Sequence, residues 1–550
     1  MINHMVSMLM LLAPWPLLAA GVVIGAGADH YPRFMRSVTS GAAWFALIFA
    51  LMAAVGYALG ETQSTTYVSV SLPLHLGRLA ISVDVNVLTV IMLTLVAFVG
   101  MIVSRYSKTY MDGDAREGQF HRWLALTLGS FFTLIVAGNI WGFWISWVVT
   151  SLCLHELLAF YRDRPGAVLA ARKKYVLHRI ADISLFVAFA LIARALHTAQ
   201  WAGIARALAH APGALPEGLV VAAALIVVSA ILKSAQFPTH GWLIQVMEAP
   251  TPVSALLHAG IIYTGAFLVL RASPLMAHVD WAGDVLAGVG LVSIVVASLT
   301  MMTMTNIKGA LAYSTCAQMG FMLMECGLGL YSIAVLHIIA HSVYKAHAFL
   351  SSGSVVEHFR APKPVVSATA TAGRALLGLA IAVVMVLGIG HVFGVGLVRQ
   401  PALIVMAAIL AVGMTQLLVQ ALNTRAGAMG GLLVRMTGLS MLVSVAYFAL
   451  HMGFVALLGA SVPADPVQVG LAQKVLLGVI GVAFLALLFI QQLLPRLSQT
   501  ALGRAAYVHF YGGLYADSML TELVRGFGPT PGGVAGRRLL NADSSHEVQS

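Results

Sequence analysis

The feature that most constrains this chain is a succession of about fifteen apolar stretches, each near the roughly 20 residues that a helix needs to cross a bilayer. The stretches lie near residues 8–27, 40–60, 85–104, 123–139, 140–160, 176–197, 217–237, 251–271, 284–304, 309–329, 331–355, 371–393, 401–422, 432–460 and 470–494. Because the chain is 60% hydrophobic and only 9% charged, a soluble domain is excluded. The sequence predicts an all-α polytopic membrane protein with about 15 transmembrane helices.

The positive charges follow the predicted spans. Lys and Arg, which give the chain a net charge of +11, concentrate in alternate connections: Arg33 and Arg36; Arg105, Lys108, Arg116 and Arg122; Arg162, Arg164, Arg172, Lys173 and Lys174; Lys308; Arg360 and Lys363; and Arg425 and Arg435. This alternation is typical of the positive-inside rule and does not indicate nucleic-acid binding. It predicts an N-terminus outside the cell membrane and a C-terminus in the cytoplasm.

Two segments lie outside the apolar stretches. Residues 61–83 alternate polar and apolar side chains, which predicts a short strand or hairpin on the outer side. From about residue 499 the chain becomes amphipathic and then polar, so we expect a cytoplasmic tail that ends in disorder at 541–550. No Cys-x-x-Cys, Walker or dinucleotide-binding motif occurs, so we expect neither a metal nor a cofactor in this chain.

Lys233 is the most unusual ionisable residue inside the apolar stretches, where such residues are costly and usually functional. It is followed by Gln236 and Pro238, and a proline interrupts a helix because it has no amide hydrogen to donate. Broken helices in transporters line cavities and hold ions. The residues predict a proton or ion site at Lys233, with a lysine that snorkels to the membrane interface as the alternative.

Three titratable residues follow in the stretch AVLHIIAHSVYKAHAFL. His337, His341 and Lys345 are four residues apart, so they share one helix face with a rise of about 6 Å between neighbours. Imidazole and amine groups with water between them can pass protons near neutral pH, which favours H⁺ over Na⁺ as the coupling ion. The alternative is that the histidines only bond backbone carbonyls between helices.

Other ionisable residues could extend this path. His258 follows Pro250 and Pro252 by about two turns and could relay protons between Lys233 and the histidine row. Arg179 and Asp182 are one turn apart near the basic loop, and could equally form a local ion pair that closes a helix end.

Two long motifs resemble those of a known family. The stretches KSAQFPTHGW…MEAPTPVSALLHAG and IKGALAYSTCAQMGFM…HIIAHSVYKAHAFLSSGS are similar to the antiporter-like subunits of respiratory complex I and of Mrp cation antiporters. The resemblance is strong over about 120–360 and weak after 365. It implies a core of two inverted five-helix repeats, each with one broken helix. The chain then divides into N-terminal helices with the outer hairpin, a first half, a second half, C-terminal helices and the tail, at 1–119, 120–270, 271–425, 426–498 and 499–550.

The resemblance also implies roles for individual residues. It assigns the family's pumping lysine to Lys233 and its linking histidine to His258. The family's central-axis row and its Arg-x-x-Asp motif are matched by His337, His341, Lys345, Arg179 and Asp182.

The departures from the family pattern concern the partners of its lysines. Trp147 is followed by Val148, where the family has the glutamate that partners the pumping lysine. His155 and Glu156 lie two helical turns further on, so we expect Glu156 to replace that glutamate. The family's second-half break, with its lysine, is absent, and His391 stands between glycines in that region as a possible substitute.

These departures fit the membrane subunits of energy-coupled inorganic carbon transporters, the DabB family, which the tail AAYVHFYGGLYADSMLTELV also resembles. The resemblance implies that the chain is not an enzyme but a proton- or cation-conducting subunit of a bacterial cell inner membrane. The implied partner is DabA, a large cytoplasmic protein similar to a zinc β-carbonic anhydrase, and zinc is expected in that partner only. Ion flow would then drive CO2 hydration or bicarbonate accumulation.

Three alternatives remain open. The chain could be a subunit of a redox-linked complex I-like or hydrogenase-like assembly, although it has no cysteine cluster for an iron–sulfur centre. It could belong to a Mrp-type Na⁺/H⁺ antiporter, which the missing glutamate disfavours. It could also be a structural anchor, although several buried titratable groups are costly to keep without a function.

Overall fold

The computed structural model describes residues 2–23, 25–60, 64–73, 76–210, 215–352, 372–396, 400–423, 426–459, 461–466 and 470–525. Nearly all of these residues are helical, and the strands among them form one two-stranded sheet. The expectation of disorder at 541–550 falls outside the described residues.

The N-terminal region combines helices with a hairpin. Its elements are α1 (Ile2–Leu12), α2 (Trp15–Val23), α3 (Pro32–Leu59), β1 (Thr65–Ser71), β2 (Arg78–Val83) and α4 (Val87–Tyr110). Since β1 and β2 pair antiparallel, the hairpin predicted over 61–83 is present. The buried guanidinium of Arg271 donates hydrogen bonds to the Asp84 carboxylate, just after β2, and to the Thr89 hydroxyl at 2.6 Å. This ion pair ties the hairpin to the helical core.

The first half of the core contains two interrupted helices. Its elements are α5 (Glu117–Val136), α6 (Ile140–Leu158), α7 (Pro165–Leu196), α8 (Trp201–Ala209), α9 (Glu217–Lys233), α10 (Gly241–Gln245), α11 (Thr251–Ala259), α12 (Thr264–Arg271) and α13 (Ser273–Met276). Helix α9 ends at Lys233, as the sequence predicts, because the ring of Pro238 would collide with the carbonyl four residues earlier. A second interruption, at Gly260, separates α11 from α12.

Long helices make up the rest of the described chain. They are α14 (Asp280–Met301), α15 (Ile307–Gly327), α16 (Tyr331–Leu350), α17 (Ala372–Val392), α18 (Pro401–Leu422), α19 (Ala426–Leu458) and α20 (Leu471–Leu497). Helices α14 and α15 approach closely because glycines face each other, and a Cβ on Gly290 would lie 2.4 Å from the carbonyl oxygen of Gly320. Among the described residues of this region, α17 and α18 have no interruption like the one after Lys233.

The fifteen predicted stretches all coincide with helices or helix pairs, but the count of fifteen spans is not confirmed. Within the described ranges, 12 helical segments are long and apolar enough to cross a membrane by length and composition. The other three, α5, α9 and α15, are too short or too polar by that measure. Helix α9 has 17 residues, whereas the hydropathy of α5 and α15 is lowered by buried ionisable side chains such as Glu117 and Glu325.

The beginning of the tail packs against the core. Helix α21 (Ala501–Tyr511) leads through a turn to α22 (Ala516–Arg525). On α22, the Asp517 carboxylate accepts one hydrogen bond from the fully buried Lys173 ammonium and another from the Gln245 amide, both at 2.7 Å. The amphipathic part of the predicted tail therefore contacts α7 and α10, close to the helix break that follows Lys233.

Candidate proton-conducting site

Lys233 ends α9 in a buried position between α6 and α7. Its side chain is 5% exposed, so it does not snorkel to an interface. The ammonium nitrogen lies 3.3 Å from an Asp182 carboxylate oxygen and 4.5 Å from the ring centroid of Trp147. A carboxylate and an aromatic face both stabilise an ammonium ion that has lost its water.

Asp182 is the carboxylate that organises this site. The indole N–H of Trp147 donates to Oδ1 of Asp182 at 2.7 Å, and the guanidinium of Arg179 lies 2.6 Å from Oδ2. The Trp144 indole N–H donates to the Asp182 backbone carbonyl at 2.8 Å. Asp182 sits in the middle of α7, so its pair with Arg179 does not simply close a helix end, and it also bridges to Lys233.

The pairing gives Lys233 a specific chemical property. When the lysine is protonated, two cations share one carboxylate and the cluster with Arg179 and Asp182 carries a net charge of +1. When the lysine releases its proton, the Arg179–Asp182 pair remains and the cluster is neutral. Because a paired carboxylate stays in place in both states, the lysine can change charge without leaving a buried carboxylate unpaired.

The predicted partner of Lys233 was wrong. The carboxylate of Glu156 accepts a hydrogen bond from Arg162 at 2.8 Å near the end of α6, and its side chain is 30% exposed. The helical repeat placed Glu156 beside the face of Val148, but two turns also shift a residue by about 11 Å along the axis. Glu156 lies on the predicted face of α6 but too far along the helix axis. Asp182 occupies the position next to Lys233 instead.

His155 is also separate from the lysine. Its ring packs against Tyr175 with centroids 5.5 Å apart, and its Nδ1 is buried without a hydrogen-bond partner in the described structure.

Two buried residues on α7 that the sequence analysis did not select extend the site. The ammonium of Lys174 donates to the carbonyl and to the hydroxyl of Ser151, at 2.5 and 3.2 Å. The same hydroxyl lies 3.0 Å from Nδ1 of His178, which shares a small cavity with Lys233. Lys174, His178 and Asp182 are spaced four residues apart, the pattern that identified the row on α16. Assigning Lys174 to the basic loop hid this pattern.

His258 is fully buried on α11, next to the same cavity. The residue before it, Leu257, lines the cavity beside Lys233. The His258 Nδ1 atom lies 3.0 Å from the hydroxyl of Thr315, and its ring stacks on Phe349 with centroids 4.3 Å apart. These contacts place the His258 ring against α15 and α16, and its role as a relay stays a prediction.

Tyr263 joins the second helix interruption to the row on α16. Its hydroxyl donates to the His258 carbonyl at 3.0 Å and lies 2.8 Å from Nδ1 of His341. A hydroxyl can donate one hydrogen bond and accept another, so Tyr263 can connect its neighbours in a chain of hydrogen bonds. The sequence analysis did not identify this residue, because nothing in an apolar stretch distinguishes a core tyrosine from a relaying one.

The row on α16 has the geometry that its spacing predicts. The rings of His337 and His341 have centroids 6.2 Å apart, and both residues line one cavity with Lys345. The Lys345 ammonium donates to the carbonyl of Leu311 at 2.9 Å and to the hydroxyl of Ser314. The role of the row in conduction stays a prediction.

Glu325 is a second acidic residue that sequence analysis missed. Its carboxylate is buried on α15 and lies 3.0 Å from Nδ1 of His337, whose Nε2 lies 2.7 Å from the Gln318 side-chain oxygen. A glutamate inside the predicted span 309–329 was the available signal.

His391 does not join these clusters. It lies in the last turn of α17 beside a cavity lined by apolar residues such as Phe448. Among the described residues, no hydrogen bond or ion pair reaches its ring, and no set of three or more His, Cys, Asp or Glu could hold a metal ion.

Family models match most of this helical core. One described as NADH:quinone oxidoreductase/Mrp antiporter, TM, matches residues 137–419. Another, described as NADH-ubiquinone oxidoreductase (complex I), chain 5 N-terminus, matches residues 74–121. The first match includes the surroundings of Lys233 and the whole row on α16.

Individual proteins similar to this chain are also antiporter-like membrane subunits or inorganic carbon transporter subunits. The chain is 38% identical over 536 residues to the probable inorganic carbon transporter subunit DabB2 of Halothiobacillus neapolitanus, covering 98% of this chain and 97% of the relative. It is 45% identical over 276 residues to the probable inorganic carbon transporter subunit DabB of Hydrogenovibrio crunogenus, covering 50% and 53%. The solved Mrp complex from Dietzia sp. DQ12-45-1b is similar with a TM-score of 0.59 and 19% identity, covering 98% of this chain and 60% of that chain. This likeness confirms the predicted antiporter-like fold.

Proposed function

Because the chain belongs to the DabB family of antiporter-like membrane subunits, we propose that it conducts protons across a bacterial inner membrane and couples their flow to the accumulation of inorganic carbon. The observation that carries the proposal is the buried Lys233–Asp182 pair at the end of a broken helix. Lys233 can lose its proton while the Asp182 carboxylate stays paired with Arg179, so it is suited to proton transfer.

The proposed path begins at this pair and follows the ionisable residues across the core. From Lys233 it continues through His258 to the row on α16, where the Tyr263 hydroxyl holds His341 against the carbonyl end of α11. Amines and imidazoles carry protons and repel metal cations, which favours H⁺ over Na⁺. The distribution of Lys and Arg supports a periplasmic N-terminus and a cytoplasmic C-terminus.

The chemistry of CO2 hydration in this scheme lies in a partner chain. The relatives named DabB are described as subunits of inorganic carbon transporters, so a second subunit is expected. We propose that it is a DabA-like cytoplasmic protein with a zinc centre of the carbonic-anhydrase type, which hydrates CO2 when protons move through this chain.

Copurification tests the proposed partnership. The tagged chain is purified in mild detergent, and its partners and metals are identified by mass spectrometry and metal analysis. One large soluble partner with about one zinc ion is the expected result. The variant Lys233→Ala is the matched control and should bring the same partner, because the buried lysine lies away from any exposed surface. Several membrane subunits with iron or flavin would instead support a complex I-like assembly, and sodium-dependent proton flux would support a Mrp-type antiporter.

A further inference from the structure

The second acidic cluster of the core has no part in the path described so far. Glu325 pairs with His337 at the N-terminal end of the row on α16, and the Glu325 carboxylate is buried. A second pair lies nearby, where Nε2 of His451 on α19 is 3.5 Å from a carboxylate oxygen of Asp465. Both carboxylates lie within electrostatic reach of the Tyr447 hydroxyl.

Tyr447 is placed to connect the two pairs. It lies one turn before His451 on α19, so both side chains share a face of that helix. Helix α19 packs against α16, and the Tyr447 ring packs on the apolar cluster that contains Ile333 of α16. The Tyr447 hydroxyl is buried and has no hydrogen-bond partner in the described structure, and the same holds for Nδ1 of His451. Buried polar atoms without protein partners indicate bound water or a functional role.

The turn that holds this arrangement is specified by the sequence. Gly329, between α15 and α16, has a φ of +77°, which favours glycine, and Pro466 packs directly over it. This contact fixes residues 463–466 beside the end of the helix that carries Glu325. The same loop continues to Ser461, which lines a cavity with Asp84 and Arg271 at the hairpin. The second pair therefore lies toward the hairpin side of the molecule.

We propose that Glu325, Tyr447 and Asp465 form a proton route that leaves the row on α16 at His337 and reaches the hairpin face. The route rests on the proposed function, because it carries the protons that enter at Lys233. In each transfer a protonated carboxyl group of Glu325 releases its proton through bound water to the tyrosine oxygen, while the tyrosine releases its own proton through bound water to Asp465. The hydroxyl is unchanged afterwards, and the proton has moved from one carboxylate to the other.

The position of Asp465 suits the last step. Its side chain is 10% exposed, so the carboxylate is close to solvent but largely buried. Burial raises the pKa of Asp465 to about 6, which lets it take up and release protons near neutral pH. His451 lies beside it as an alternative acceptor.

Proton flux through the purified full complex tests the route. The complex is reconstituted in vesicles that enclose a pH-sensitive dye, and a pH gradient is imposed. Glu325→Gln and Asp465→Asn should each lower the flux at least tenfold, and Tyr447→Phe at least fivefold. Asp284→Asn and Tyr511→Phe are matched controls away from the route and should stay within twofold.

Conservative variants separate a route from a structural role. Glu325→Asp and Asp465→Glu keep a carboxyl group and should recover a substantial part of the flux, whereas a merely structural defect would not be repaired by a changed side-chain length. Flux within twofold of the parent in both Glu325→Gln and Asp465→Asn would overturn the route. If Lys233→Ala abolishes flux in the same assay, the proposed function survives that result, and if Lys233→Ala also conducts normally, the proposed function fails first.

Discussion

The first half of the core and the helices α17, α18 and α20 are almost equally apolar, but their charged side chains are placed differently. In α6, α7 and α9 several ionisable side chains lie buried in contact with one another, as Lys233 and Asp182 do. In α17, α18 and α20 the described charged residues Arg374, Lys474 and Arg496 are exposed, and His391 stands at the end of its helix. Since hydropathy is similar in both regions, the arrangement of charge and not the composition distinguishes a conducting region from a supporting one.

The comparison is sharpest at Lys233, where the largest effect is expected. Lys233→Ala removes the group that changes charge beside Asp182, so proton flux through the purified complex should fall at least a hundredfold. The complex should still assemble, which size-exclusion chromatography checks. Intact ion-driven activity in this variant would contradict the path.

The link between the halves is the next strongest test. Tyr263→Phe removes the hydroxyl between the His258 carbonyl and His341 but keeps the ring in place. We expect proton flux to fall about tenfold, with Tyr511→Phe on the tail as the control. A flux equal to that of the control would show that protons pass from α11 to α16 without Tyr263.

The tail should matter less than either of these residues. Asp517→Asn weakens the contact with the buried Lys173, and because the Asp517 side chain is 34% exposed the loss of stability should be near 1 kcal/mol. We expect α22 to become more sensitive to limited proteolysis and flux to fall two- to threefold. Glu522→Gln changes a charge on the same helix and should leave the cleavage rate unchanged. Equal cleavage of both variants would show that the Lys173 contact does not hold the tail.

The smallest effect is expected at His391 on α17. His391→Ala should keep proton flux within twofold, because no described hydrogen bond or ion pair engages the ring. The same flux assay measures it. A tenfold loss would show that α17 conducts as well, and would restore His391 as a substitute for the family's second lysine.

The sequence was sufficient for properties that depend on one segment. Each apolar stretch coincides with a helix, the break follows Lys233, and the row of His337, His341 and Lys345 shares one face, because hydropathy, proline and helical periodicity are local.

Contacts between segments could not be derived in the same way. The helical repeat fixes a direction around the axis, but the height at which two helices meet depends on how their side chains pack. Glu156 was therefore chosen over Asp182. Lys174 and Glu325 were missed because one was assigned to a basic loop and the other was a single glutamate in an apolar stretch.

The central claim is that Asp182, and not Glu156, is the carboxylate partner of Lys233. The most direct test measures proton flux in the purified complex for Asp182→Asn and Glu156→Gln side by side, with assembly checked for both. The account predicts at least a fiftyfold loss for Asp182→Asn, since Lys233 and Arg179 then face no carboxylate, and less than a twofold change for Glu156→Gln, which removes only an exposed contact with Arg162. The reverse result, with flux lost in Glu156→Gln and retained in Asp182→Asn, would contradict it.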